Sequence, residues 1–260
     1  MEVTFKERKR LFLRFGNEYE ETSVQNFYRY HVVNPYWGFM IKYFLRYIDC
    51  KPYDKVMKLD LWDETVAMFT DIRKNIIKFL KPKKIYYIEF VKEFCNLFKK
   101  MYNSKNEVAI NDNINNWPFG NCIFDAIIDI STSDHLNLKE FKKFIADCQK
   151  TLAPGGYLVL LHLNKNYQNM GNFLNVETKY INYPRSDKLI EKIVQENGLK
   201  IIKKKYFLPY LFDTSLISLH FYMRMHLFFY KIFNQLYFYL ISTLLGSRQL
   251  NIFVCYLIQK

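Results

Sequence analysis

At 260 residues, half of them hydrophobic, the chain can build a sizeable core and does not have a disordered composition. Five scattered cysteines, odd in number and without a C-x-x-C pair, argue against a disulfide framework and a structural zinc site; no metal is expected, and a reducing, cytoplasmic compartment is. The formal charge of +13 would attract phosphates, nucleic acid or anionic lipid headgroups, yet no run of five consecutive basic residues occurs, and residues 1–15 are too charged for a secretory signal.

Residues 1–50 form a charged and then aromatic N-terminal segment, with a helical pattern through Tyr43, Leu45 and Ile48. From residue 55 onward, short apolar runs alternate with amphipathic stretches. Strands are predicted over 55–61, 85–88 and 107–110. The intervening 64–80 and 92–102 read as helices, the first with Val66, Phe69, Ile72, Ile76 and Phe79 on one face. The run 124–130 consists of β-formers and suits a strand buried on both faces. A helix over 138–152 is expected to stop at Pro154-Gly155-Gly156. Then come a strand over 157–163, a helix over 187–197 ended by Gly198, and strands over 199–203 and 251–258. Strands alternating with helices imply β-α-β units, hence an α/β fold. The expectation is a doubly wound, seven-stranded, mainly parallel sheet with helices on both faces, comprising 51–205 and 247–260.

Residues 206–246 break this rhythm. They are rich in Leu, Phe and Tyr, and Asp213, His220, Arg224, Lys231, Gln235 and Ser242 share one helical face. Polar residues interrupt too often for a spanning helix. The segment reads as a helical insert before the last strand. It either packs on the domain or forms a lid or a peripheral membrane contact.

Two stretches carry a family resemblance. Phe124-Asp125-Ala126-Ile127-Ile128-Asp129-Ile130, followed by Ser131-Thr132-Ser133-Asp134-His135-Leu136, is similar to the fourth-strand motif of class I S-adenosylmethionine-dependent methyltransferases. Leu152-Ala153-Pro154-Gly155-Gly156-Tyr157-Leu158 resembles the turn before their fifth strand, and Asn197-Gly198-Leu199 is a weaker match before the sixth. The resemblance implies an enzyme that binds S-adenosyl-L-methionine at the carboxyl ends of the strands. It assigns Glu89 to the ribose hydroxyls, a task suited to an acceptor-only carboxylate, and Asp112 or Asn113 to the adenine. The first loop, Lys58-Leu59-Asp60-Leu61-Trp62-Asp63-Glu64-Thr65, lacks the family's glycines and looks like a divergent subgroup. There Asp60 and Glu64 would meet the cofactor's positive methionyl end, and Leu61, Trp62, Thr65, Ser131, Thr132 and Ser133 complete the expected cofactor set. Asp134 and His135 are the candidate general bases, with His162 as a second choice. Asn34-Pro35-Tyr36-Trp37 is similar to the Asn-Pro-Pro-Tyr motif of amino methyltransferases. It lacks one proline and precedes the first strand, so it is read as a loop.

The resemblance points to methyl transfer onto a small-molecule acceptor such as a sugar, lipid or secondary metabolite. An RNA methyltransferase is the alternative suggested by the charge. A catalytically inactive scaffold with a membrane or protein partner is the one suggested by the missing glycines. No G-x-G-x-x-G supports a dehydrogenase.

Overall fold

The computed structural model describes residues 34–48, 53–65, 70–120, 122–165, 183–207 and 253–260. In chain order the elements are α1 (Asn34–Leu45), β1 (Lys55–Leu59), α2 (Trp62–Thr65), α3 (Thr70–Leu80), β2 (Lys84–Glu89), α4 (Lys92–Tyr102), β3 (Glu107–Asn111) and β4 (Phe124–Ile130). A 3-10 turn (Thr132–His135), α5 (Leu138–Thr151), β5 (Leu152–Leu163), α6 (Asp187–Glu196), β6 (Lys200–Phe207) and β7 (Phe253–Gln259) follow.

The seven strands form one sheet in the order β3-β2-β1-β4-β5-β7-β6. β7 runs antiparallel to both its neighbours, and the other pairings are parallel. Alternating strand residues sort into two cores. Val56, Ala126, Ile128, Val159, Leu161 and Cys255 face α1, α3 and α4. Met57, Ile127, Leu158, Leu160, Val254 and Tyr256 face α5 and α6. The helices therefore lie on both faces, and strand order reverses between β1 and β4, where such folds open a ligand crevice.

Local chemistry explains the elements. In α4, Phe94, Cys95 and Phe98 recur at helical spacing and are buried, and each Phe contributes about 1.5–3 kcal/mol. α5 begins with a reciprocal cap: the Asn137 side chain accepts from the Glu140 amide at 3.0 Å, and Glu140 accepts from the Asn137 amide at 2.8 Å. Every residue of β4 except Asp125 is buried, as expected of a central strand.

Several boundaries differ from expectation. β1 stops at Leu59 because Asp60 turns into the left-handed region, with φ 57°. The expected helix over 64–80 is two helices, and Val66 and Phe69 lie outside the described residues. Asn34-Pro35-Tyr36-Trp37 opens α1 rather than a loop, since proline is tolerated in a first helical turn. α5 ends at Thr151, and Pro154-Gly155-Gly156 lies inside β5, where the register with β4 shifts between Phe124 and Ala126. A Cβ on Gly156 would sit 2.9 Å from the Ala153 carbonyl oxygen and 3.0 Å from that of Asp125. Residues 206 and 207 belong to β6; the rest of the expected insert, 208–246, lies outside the described residues. Among the described residues no helix is long and apolar enough to cross a membrane.

Candidate functional site

The loop after β1 is built around a buried lysine. Lys58 is fully buried. Its Nζ lies 3.4 Å from Asp60 Oδ1, 3.2 Å from Asp63 Oδ2 and 3.0 Å from Glu64 Oε2, and it donates to the Leu59 and Asp60 carbonyls at 3.2 and 3.3 Å. Burial opposes the ammonium charge, but Glu64, Asp60 and Asp63 outweigh it and hold Lys58 well above its usual range. Burial pushes Asp63 up to about 6 and Glu64 up to about 8, with Lys58 pulling both down. The three carboxylates are close enough to share a cation, and the chain supplies its own in Lys58. Asp60 Oδ1 also accepts from the Trp62 amide at 3.2 Å, which starts α2. Thr65 Oγ1 donates to the Leu61 carbonyl at 2.5 Å, and the Trp62 ring packs edge-on against Phe94.

Glu89, at the carboxyl end of β2, joins this loop to the next. Its two oxygens accept from the Leu61 amide at 2.9 Å and the Val91 amide at 2.8 Å. Burial, reinforced by Asp60, pushes its carboxyl up to about 8, with the two amides and Lys58 opposing. The Glu89 carbonyl in turn accepts from the Asp112 amide at 3.0 Å. Asp112 and Asn113 shape a turn: Asp112 Oδ1 accepts from the Asn113 amide at 2.6 Å and from Asn116 Nδ2 at 2.8 Å, and Asn113 Oδ1 accepts from the Asn115 amide at 3.0 Å. Both stay half-buried beside Glu89.

The loop after β4 turns at Ser131, with φ 65°. The Asp129 carboxylate accepts from the Thr132 and Ser133 amides at 3.0 and 3.3 Å. Burial pushes its carboxyl up to about 7. The Thr132 hydroxyl donates to Asp60 Oδ2, so the first and fourth loops meet. The Ser131 hydroxyl donates to Asp134.

Asp134 is fully buried, 2.5 Å from His162 Nδ1, and accepts from the Leu163 amide at 3.0 Å. Burial works against its charge, but His162, Ser131 and the Leu163 amide prevail and hold it below the usual carboxylate range. Arg185 Nη1 lies 3.2 Å from His162 Nε2. Arg185 also donates to the Ser133 and Leu136 carbonyls and stacks 4.2 Å over Phe141.

The structure thus gathers Asp60, Leu61, Trp62, Glu89, Ser131 and Thr132 at the carboxyl ends of β1, β2 and β4, with Asp112 and Asn113 adjoining. Glu64 and Thr65 are buried beneath this group. Asp134 and Ser133 point inward, and a buried, charge-stabilised carboxylate is a poor base; half-buried His135 is the better placed of the two candidates. Sequence reasoning missed Lys58, Asp63, Asp129 and Arg185. The spacing of Asp60, Asp63 and Glu64 after a mid-strand lysine was a signal for the first two; Arg185 had none.

These residues fit S-adenosylmethionine. Asp60 takes the left-handed backbone that glycine otherwise supplies, so the turn survives without the glycines. Its side chain, 18% exposed, tops a cluster holding one cation against three carboxylates. Glu64 Oε1 is buried without a hydrogen-bond partner among the described residues. With Glu64 protonated at neutral pH, Asp60 and Asp63 still outnumber Lys58 by one, and that excess of negative charge complements a sulfonium or an ammonium.

Residues 71–160 match the family model for a methyltransferase domain. No characterised protein matches the chain by sequence. Among solved structures, an S-adenosylmethionine-dependent methyltransferase from Clostridium acetobutylicum superposes with a TM-score of 0.57 at 12% identity, covering 95% of this chain and 98% of that one. A cyclopropane synthase from Mycobacterium tuberculosis gives 0.55 at 12% identity, with 85% and 83% covered. An N-methyltransferase from Bradyrhizobium japonicum, solved with S-adenosylhomocysteine, gives 0.54 at 11% identity, with 85% of each chain covered. At these identities the likeness speaks for the fold, and the family model speaks for the chemistry. The strand order, the family-model match over residues 71–160 and a site suited to the cofactor together support a class I S-adenosylmethionine-dependent methyltransferase.

Proposed function

We propose that the enzyme methylates a small-molecule acceptor, with the cofactor held by Asp60, Leu61, Trp62, Glu64, Thr65, Glu89, Asp112 or Asn113, and Ser131, Thr132 and Ser133. The observation that carries the site assignment is the junction of the first and fourth loops through Asp60 and Thr132, beside Glu89. When bound, the cofactor supplies a methyl group already activated on sulfur. The chain's task is then alignment rather than acid chemistry. Glu89, fixed by two amides, retains lone pairs for the ribose hydroxyls. Glu64, protonated at neutral pH, acts from beneath by holding Lys58 in place under the methionyl end. His135 is the residue proposed to accept a proton from the acceptor where the chemistry requires it.

Residues 51–205 and 247–260 are taken as the catalytic domain, 1–50 as an N-terminal appendage, and the stretch after Phe207 as an insert that shapes acceptor access. A reducing, cytoplasmic setting suits the unpaired Cys95, Cys122, Cys148 and Cys255. Isothermal titration with S-adenosylmethionine and S-adenosylhomocysteine tests the site. Micromolar binding of both is expected, weakened at least about tenfold by Asp60→Ala and by Glu89→Ala, as loss of a charge-assisted hydrogen bond implies. Unchanged affinity in both variants would move the cofactor elsewhere. A screen of small acceptors against single-stranded RNA then decides the substrate class.

A further inference from the structure

One face of the molecule, built from α1, α3 and β6, concentrates positive charge over tyrosines. Lys203 and Lys205 project from β6, the last strand of the sheet. Lys203 Nζ lies 3.4 Å from the centroid of the Tyr47 ring and 5.2 Å from that of Tyr43, and Lys205 Nζ lies 4.2 Å from Tyr43. Arg46 and Tyr47 are exposed at the end of α1, and Lys78 is exposed near the end of α3. Lys42 stands between them: burial lowers its pKa, and the charges of Arg46 and Lys78 lower it further. Five cations thus share one face built from α1, α3 and β6.

Two observations say what this face suits. Bases of single-stranded nucleic acid bind by stacking on free aromatic faces. Here Tyr43 and Tyr47 pack on each other at 5.4 Å and carry lysine ammoniums on their rings. Second, the chain leaves β6 at Phe207 and returns at its cross-strand partner Phe253. Phe207 packs against Tyr43 and Phe44, and Phe253 against Trp37. The sequence between them, 208–252, is dominated by Leu, Ile, Phe and Tyr, with Asp213 its sole acid against Arg224, Lys231 and Arg248. Phe207 and Phe253, which bracket that sequence, therefore lie beside the cationic face. Cations flanking an apolar, aromatic-rich segment are what the surface of an anionic bilayer selects.

We propose that the face formed by Lys42, Arg46, Lys78, Lys203 and Lys205, with Tyr43 and Tyr47, docks the enzyme on an anionic lipid surface. The full chain is mixed with vesicles of phosphatidylcholine alone, or with about a third phosphatidylglycerol, and sedimented at about 0.1 and 0.5 M salt. Binding to the anionic vesicles alone is expected, weakened at least about tenfold by the higher salt and by Lys203→Glu/Lys205→Glu. Arg46→Glu/Lys78→Glu, on helix surfaces, is expected to act likewise and keeps the result independent of the edge strand's folding. Affinity for S-adenosylmethionine should be unchanged in both variants, which separates this proposal from the assignment of the cofactor site. Equal binding to both vesicle types, binding to neither, or anionic binding untouched by both variants would overturn it. So would single-stranded RNA bound through these same residues while vesicles are ignored.

Discussion

Raising the pH from about 6 to 9 should destabilise the cofactor-free enzyme, and Glu89→Gln should remove somewhat less than half of that loss, the rest lying with Glu64 and Asp129. Burial pushes Glu89 up to about 8 from an ordinary 4.5, with the Asp60 charge adding to it. Glu64 is pushed up to about 8 by burial as well, against the pull of Lys58. Between those limits the folded protein keeps a proton on each carboxyl that the unfolded chain has released. Stability is therefore fully present below about pH 4.5, falls as the pH rises, and levels off above about 8. From pH 6 to 8 each of the two glutamates accounts for about 3 kcal/mol, on the order of 1.4 kcal/mol per pH unit. For a chain of this size that is about 5–10 °C in Tm for each group. With Asp129, pushed up to about 7 by burial, adding about 1 kcal/mol between pH 6 and 7, thermal melts followed by circular dichroism at constant ionic strength should show a fall of about 15–25 °C in the wild type and somewhat more than half that in Glu89→Gln. The variant should start lower at pH 6 by about 1–3 kcal/mol, because its amide nitrogen faces the Leu61 or Val91 N–H that the carboxylate had accepted. A Tm that stays flat or rises across this range, or a slope unchanged in Glu89→Gln, would refute the reasoning.

Binding of S-adenosylmethionine at about pH 7 should release close to one proton, since Glu89 must ionise fully to accept the ribose hydroxyls; titration in buffers of different ionisation enthalpy reads this directly, and Glu89→Gln should abolish it. Lys58→Met leaves buried carboxylates without their cation and should cost about 3–5 kcal/mol near pH 8, with a smaller loss near pH 5, where Asp63 and Glu64 take up protons. An equal loss at both pH values would mean that Lys58 matters for packing rather than charge. Gly156→Ala drives a methyl group into two backbone carbonyls and should cost about 1–3 kcal/mol by chemical denaturation; a neutral result would place the strain of that turn elsewhere.

Local signals were legible where they were strong. The helix Lys92–Tyr102 and the strand Phe124–Ile130 match their expected bounds because periodicity and β-branched runs decide both. The bounds that moved depend on distant partners. Leu152 is extended because it pairs with Phe124, and Phe207 because it pairs with Phe253; neither pairing is written in the adjacent residues. The site divides the same way. Glu89 and Asp60 could be named from their places after strands. Lys58 looked like an ordinary strand lysine, and only the folding back of Asp63 and Glu64 shows it to be the buried counterion. Arg185 reaches the β4 turn across about fifty residues of chain, a contact that no local pattern encodes.

The pairing of Phe207 with Phe253 has an evolutionary reading. The last residue of β6 and the first of β7 are direct cross-strand partners, so the sheet itself closes the junction that brackets residues 208–252. Closing a loop of 45 residues rather than one of about five differs by only about 2 kcal/mol on chain-entropy grounds. The sheet is therefore nearly indifferent to the length and content of that stretch. Such a junction lets a lineage exchange one acceptor-facing or surface-facing module for another while the cofactor loops, at the other strands, stay untouched. New substrates and new cellular addresses can then arise by splicing rather than by redesign of the catalytic core.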